Sequence, residues 1–198
     1  MSSPSGPRAE SSRRIRDAIV VATVGIVARE GVAAVTHRRV AAEAGVALSS
    51  TTWHFATKAD ILDAALRWTA DREVARIAAI AERLGDADLD VSAWADELAD
   101  WLVEQVTSER DVAVALYRLQ VELLGSVGTL EVHREWGEGL GAIGERVLAH
   151  ASTATPELDV RLIAAALDGL RMAALSSGEE DVEGLRLAVR RQLLALLG

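Results

Sequence analysis

An all-α fold is predicted by three observations: a helix-favouring composition, apolar residues recurring at helical spacing along most of the chain, and a helix-turn-helix pattern between Thr36 and Lys58. Gly at 15 and Pro at 3 are few among 198 residues and aromatics are 4%, which favours helices over a rich sheet. That length buries a real core, as one domain or as a small module on a larger one. With no Cys, a disulfide scaffold and a thiolate nucleophile or ligand are excluded. The first ten residues, MSSPSGPRAE, contain no apolar core, and no later stretch reaches roughly 18 apolar residues without charge. Neither export nor a membrane span is therefore expected, and the cytoplasm is the default location.

Residues 1–10 read as a disordered arm that adds Arg8 to a backbone or minor-groove contact. A helix is predicted from Ser12 to Glu30, with Ile15, Ile19, Ala22 and Ile26 on one stripe and Gly31 ending it. Arg13, Arg14 and Arg16 crowd its first turn, against the helix dipole. A nearby phosphate would offset that cost, and a solvated charged face explains the three residues equally simply.

In THRRVAAEAGVALSSTTWHFATK, Thr36 can cap a short helix whose apolar edge is Val40, Ala41 and Ala44. Gly45 permits a tight turn, and Val46 is an apolar plug able to fix the angle to a second short helix through Ser49 and His54. Ser49, Ser50, Thr51 and Thr52 are short polar side chains that can lie close to a duplex, and a helix of this kind can read base edges in a major groove. An ordinary helical hairpin fits the same residues, because Ser and Thr also mark loops.

This stretch resembles the N-terminal module of the TetR family of dimeric transcriptional regulators. The matching residues are Thr36, Ala44-Gly45-Val46, Trp53-His54-Phe55, Thr57-Lys58 and Asp60, with Ser49 and Ser50 where the family's recognition helix commonly opens on Gly and Thr. Thr52 stands where a phosphate-contacting tyrosine is frequent, and it is a smaller donor. The resemblance is dense over about fifty residues and weak beyond them. It implies that Ser49, Ser50 and Thr51 lie near bases and that Thr36, Thr52, Trp53, His54 and Lys58 lie near phosphates, with Arg13 and Arg38 also at the DNA.

After Phe55, Thr57 and Asp60 form an imperfect capping box for a helix running to about Leu84, roughly 40 Å long. Lys58 in its first turn is either a half-site anchor at exposed helix N–H groups or a surface lysine. Gly85 to Asp90 breaks the pattern. Helices are then predicted over Val91–Thr107, Glu109–Leu124, Leu130–Ala149, Pro156–Ser176 and Glu180–Leu197, the fourth capped by Thr155 and Pro156 and the last by Ser177 and Glu180. An all-helical bundle follows from this spacing alone. Gly137, Gly139, Gly141 and Gly144 weaken the helix from Leu130, and they suit a bend, a close helix approach or a surface turn.

Trp94, Trp101, Tyr117, Gln120, Val121, Leu124, Trp136, Leu140 and Ile143 are candidates to surround a cavity for an apolar or aromatic small ligand. Core packing accounts for any one of these tryptophans equally well. The resemblance favours the pocket, because these regulators use their middle helices to bind an effector. At the C-terminal end, Leu158, Leu162, Leu167, Leu170 and Ala174 form one stripe and Leu185, Val189, Leu193 and Leu196 another, broadened by Leu187, Leu194 and Leu197. In the family, two such helices from each subunit build the dimer interface, which makes Leu162, Leu170, Ala174, Leu185, Val189, Leu193 and Leu196 the expected contacts. A closed two-fold homodimer matches a palindromic double-stranded DNA operator.

The net charge of minus 9 opposes DNA binding only until its distribution is considered. Residues 1–60 carry eight basic and five acidic side chains, a local balance of plus 3, and the remainder carries minus 12. A weakly basic head on an acidic body touches DNA with the head alone. No residue set argues for catalysis: the four His are separated and no Gly-rich phosphate loop follows a strand, so neither an enzyme nor a cofactor is expected. His133 with Glu135 and Glu138 could in principle touch a divalent metal, but a polar helix face is the plainer reading and no metal is expected. The full expectation is an N-terminal three-helix DNA-binding module over residues 12–56, followed by a helical ligand-sensing and dimerisation domain over 57–198. The alternative is a ligand-independent helical DNA-binding or protein-interaction module.

Overall fold

The computed structural model describes residues 6–85, 90–149, 154–177 and 181–197. Among these the regular structure is entirely helical: α1 (Pro7–Glu30), a short 3-10 turn (Val32–Ala34), α2 (His37–Ala44), α3 (Leu48–His54), α4 (Lys58–Leu84), α5 (Val91–Val106), α6 (Arg110–Glu122), α7 (Val127–Leu148), α8 (Pro156–Ser177) and α9 (Val182–Leu197). No helix among the described residues is long and apolar enough to cross a membrane.

Several helix starts differ from the sequence reading for local reasons. α1 begins at Pro7 rather than Ser12, so Arg8 is an exposed residue of this helix and not part of an arm. Pro7 supplies a pre-set φ and lacks the N–H that a first turn leaves unpaired, and the Ala9 N–H donates to the Gly6 carbonyl at 2.9 Å. Residues 1–5 of the expected arm lie outside the described residues. α7 begins at Val127 rather than Leu130, since the Ser126 hydroxyl oxygen accepts from the Thr129 N–H at 3.2 Å. α9 begins at Val182, with the Asp181 carboxylate accepting from the Gly184 N–H at 2.8 Å. The expected cap partner Glu180 lies outside the described residues, as do residues 86–89 of the predicted break and His150.

Packing groups the chain into two compact units. The first comprises Met1–Ala70 and Val114–Val132, the second Asp71–Ala113 and His133–Gly198. This differs from a division between residues 56 and 57: the early part of α4 buries Ile61, Leu62, Ala65 and Leu66, and α6 buries Leu116 and Leu119, all within the first unit. In that unit α1, α2 and α3 pack on one another around Ile19, Ile26, Val40 and Phe55. Arg118 of α6 donates through Nη1 to the carbonyls of Val27 and Ala28, at 2.8 Å each, satisfying acceptors in the last turn of α1.

In the second unit α9 lies along α5 and α8. Leu185, Val189 and Leu193 are buried there, in one cluster with Trp94, Leu98, Leu102 and Leu167. The assignment of these three α9 residues to a dimer surface is therefore corrected: their four-residue spacing fills the protomer's own core. Leu170 and Ala174 are partly buried against the same cluster, and Leu196 is half-buried. Leu162 is 44% exposed and remains at the surface. The free apolar side of α8 carries Leu158, Leu162 and Met172, and that of α9 carries Leu187 and Leu194. α7 passes through its four glycines without interruption. A Cβ at Gly139 would come within 3.2 Å of Val74, and one at Gly144 within 2.5 Å of Val160, so two of the four serve close helix approach.

Candidate functional site

The helix-turn-helix is assembled from local hydrogen bonds. The Thr36 hydroxyl oxygen accepts from the Arg39 N–H at 3.1 Å and caps α2, a contact of about 1 kcal/mol. Gly45 has φ +66°, the left-handed conformation that ends α2 without a side-chain clash, and the Val46 N–H then donates to the Ala41 carbonyl at 3.0 Å. His37 Nε2 lies 2.9 Å from the Phe55 carbonyl, which brings the first turn of α2 to the end of α3. Thr57 and Asp60 cap α4 reciprocally: the Thr57 N–H donates to Asp60 Oδ2 at 2.8 Å and the Asp60 N–H to Thr57 Oγ1 at 3.1 Å. Lys58 is thereby fixed in the first turn of α4.

α3 sorts its residues by face. Ser49, Thr52 and Trp53 are exposed, Trp53 at 75%, while Ser50 and His54 are half-buried. Thr51 is fully buried and its hydroxyl donates to the Leu48 carbonyl at 2.8 Å. The expectation that Thr51 lies near bases is therefore corrected, because the helical period turns it into the core of the head. Leu48, half exposed, takes a place on the free face that polarity alone did not indicate. Burial, and then the charge of Arg16, lower the pKa of His54, which keeps its imidazole neutral at neutral pH and makes it a hydrogen-bonding group rather than a cation.

Ion pairs determine which cations the head offers. Arg39 bridges Glu30 at 2.6 Å and Glu43 at 2.8 Å, Arg29 meets Glu43 at 2.5 Å, and Arg14 meets Glu10. The Arg16 guanidinium lies over the Phe55 ring, 5.3 Å from its centroid. Thr36, Arg13 and Arg38 are exposed and Lys58 is half-buried. Arg38 and Lys58 form no ion pair among the described residues.

The second unit contains a cavity of about 420 Å³. Its wall takes Trp94, Leu98 and Trp101 from α5, Trp136, Leu140 and Ile143 from α7, and apolar side chains from α8 and α9. Five of the sequence candidates, Trp94, Trp101, Trp136, Leu140 and Ile143, thus meet around one space. The other four do not: Tyr117, Gln120, Val121 and Leu124 belong to the first unit and line no part of this cavity. α6 turns Leu116, Leu119 and, just past its end, Leu123 inward, which leaves Val121 and Leu124 about 70% exposed.

The polar wall groups Glu73, His133, Asp168 and Arg171 were missed by the sequence reading. A signal existed, since Glu73 occupies one position of the otherwise apolar stripe Leu66, Ala70, Ile77, Ile80 and Leu84. The side chains of Arg171 and Glu73 are only 3% and 9% exposed, and Arg171 Nη1 meets Glu73 Oε1 at 3.1 Å. Arg171 also lies 5.8 Å from the centroid of the Trp101 ring. Burial pushes the pKa of the Glu73 carboxyl up, while Arg171 opposes that shift and Asp168 adds to it. No group of three or more His, Asp or Glu among the described residues is placed to hold a metal ion, and Glu138 instead pairs with Arg134 at 2.9 Å.

Residues 19–65 match the family model for bacterial regulatory proteins of the tetR family, and residues 89–198 match that for the tetracyclin repressor-like C-terminal domain. A member of the TetR family from Streptomyces coelicolor A3 is 34% identical, with 93% of this chain and 98% of that chain covered and a TM-score of 0.72. The multidrug binding protein EbrR complexed with ethidium is 33% identical over 93% of this chain and 99% of that one, with a TM-score of 0.69. EbrR complexed with proflavin is 34% identical over 90% and 99%, with a TM-score of 0.61. No curated protein is a significant match. A helix-turn-helix built on Thr36, Gly45 and the Thr57–Asp60 cap, matched together with the helical C-terminal region, establishes that the chain belongs to the TetR family of transcriptional regulators.

Proposed function

We propose that the protein is a homodimeric, cytoplasmic repressor that binds a palindromic double-stranded DNA operator and is released by a small, largely apolar or aromatic effector. The observation that carries this reading is the tryptophan-walled cavity in the second unit of a chain whose first unit holds a helix-turn-helix. Complexes of EbrR with ethidium and proflavin support an aromatic effector. In this reading residues 12–56, with Lys58 just beyond them, bind DNA, and the domain over 57–198 senses and dimerises. Ser49 and Ser50 approach bases, while Thr36, Arg38, Thr52, Trp53, His54 and Lys58 hold phosphates, with Arg13 close by. The dimer forms through the exposed sides of α8 and α9.

Release requires a difference in effector affinity between two body conformations, because equal affinity moves no population. Selection from random duplexes followed by mobility-shift titration is expected to return a palindromic site, and non-intercalating aromatic compounds are expected to weaken binding to it. Equal affinity for every duplex at ~0.15 M salt overturns sequence-specific recognition. A broad panel that never binds or changes DNA affinity leaves a ligand-independent regulator.

A further inference from the structure

Charge is unbalanced at the polar end of the cavity. Arg171 donates from Nη1 to Glu73 Oε1 and from Nη2 to Asp168 Oδ1, at 3.1 and 2.9 Å, so a single guanidinium serves two carboxylates. Glu73 Oε2 is buried with no hydrogen-bond partner among the described residues. His133 of α7 is the remaining titratable group on the wall, for α5 contributes Trp94, Leu98 and Trp101 and α9 contributes Leu193 and Leu197. An anionic ligand finds the one guanidinium already engaged. A cation, by contrast, satisfies a carboxylate oxygen that is costly to leave unmade in a low-dielectric site, and the faces of Trp94 and Trp136 attract positive charge.

We infer that the cavity is built for an aromatic monocation, its positive end paired with Glu73 Oε2 and its rings against Trp94 and Trp136. This rests on reading the cavity as the effector site, and it adds what that reading lacks, the charge of the ligand. Because burial raises the pKa of the Glu73 carboxyl, the site gains its negative charge only as pH rises through that raised value, and a ligand of fixed charge binds more tightly in the same direction.

The test uses two probes with the same three-ring skeleton, neutral acridine and permanently charged 10-methylacridinium, titrated calorimetrically against the full chain without DNA. At neutral pH the charged probe is expected to bind at least about tenfold more tightly, the scale of a satisfied buried charge. Glu73→Gln is expected to remove that preference while leaving acridine binding within about twofold. On acidification wild-type affinity for 10-methylacridinium falls, and the fall persists in His133→Gln. Should Glu73→Gln fail to fold, the wild-type probe ratio and the pH profile of His133→Gln decide the matter. Equal affinity for the two probes, or a pH response abolished by His133→Gln, overturns the cation assignment and leaves the effector reading standing. Failure of both probes to bind overturns both.

Discussion

Arg38 and Lys58 are two of the head's cations that form no ion pair among the described residues, whereas Arg29 and Arg39 share Glu30 and Glu43. In the proposed function their contribution to DNA binding is electrostatic and indifferent to sequence. Lys58→Ala is expected to weaken binding to all duplexes alike and to lower the slope of log affinity against log salt by up to about 0.9, as mobility shifts across a salt series would show. A change in base preference would instead place Lys58 among the reading residues. Thr51 shows where residue type misleads: its hydroxyl looked available for bases, but a single residue step around the helix, roughly 100°, turns it from the exposed face that carries Thr52 into the core, and it bonds to the Leu48 carbonyl instead. Only the phase of α3, set by Ala47 and Phe55 at its ends, distinguishes Thr51 from Thr52.

At the scale of elements, two apolar stripes on α8 and α9 compete for the same description. Leu185, Val189 and Leu193 serve the protomer, whereas Leu158, Leu162 and Met172 with Leu187 and Leu194 are free to serve a second copy. Leu162→Glu with Leu187→Glu is expected to give a folded monomer by light scattering. Val189→Glu, which buries an unpaired charge, is expected to destabilise the protein by several kcal/mol in denaturant titration. An unchanged dimer in the first variant would remove these sides of α8 and α9 from the interface. The helix-turn-helix, α5 and α8 were legible in the sequence because each begins at a marked boundary: Thr36, the break from Gly85 to Asp90, and Thr155 with Pro156. The start of α1 was not, since Ser12 looks like a cap and Pro7 was read as part of an arm. Nor was the choice between α9 stripes legible, because helical spacing reveals that a face is apolar but not what covers it. Tyr117 and Gln120 were misassigned to the cavity for a related reason: α6 divides between the two units, and its residues from Val114 onward pack in the first.

For the molecule as a whole, the basic and acidic residues are unevenly allotted, plus 3 over residues 1–60 and minus 12 beyond. In the proposed function this arrangement confines DNA contact to the head and makes it sensitive to salt. α4, α6 and α7 each supply residues to both compact units. Should an effector lower operator affinity tenfold, the operator must lower effector affinity tenfold in return, a coupling of about 1.4 kcal/mol. Glu73, missed in the sequence, sits on α4.

Gly137 lines the cavity, and a Cβ placed there would meet nothing within 4 Å. A methyl group at this position therefore enters empty space without displacing a neighbour, and it lifts helix propensity in α7 by about 1 kcal/mol. Gly137→Ala is expected to raise the melting temperature while reducing affinity for the bulkiest ligands, as calorimetry on both properties would reveal. An unchanged ligand size limit would show that the vacant volume at 137 is not used. On the effector reading, the residue that would steady α7 is also the one that would narrow the cavity, so the open volume at 137 is kept by an atom the chain does without.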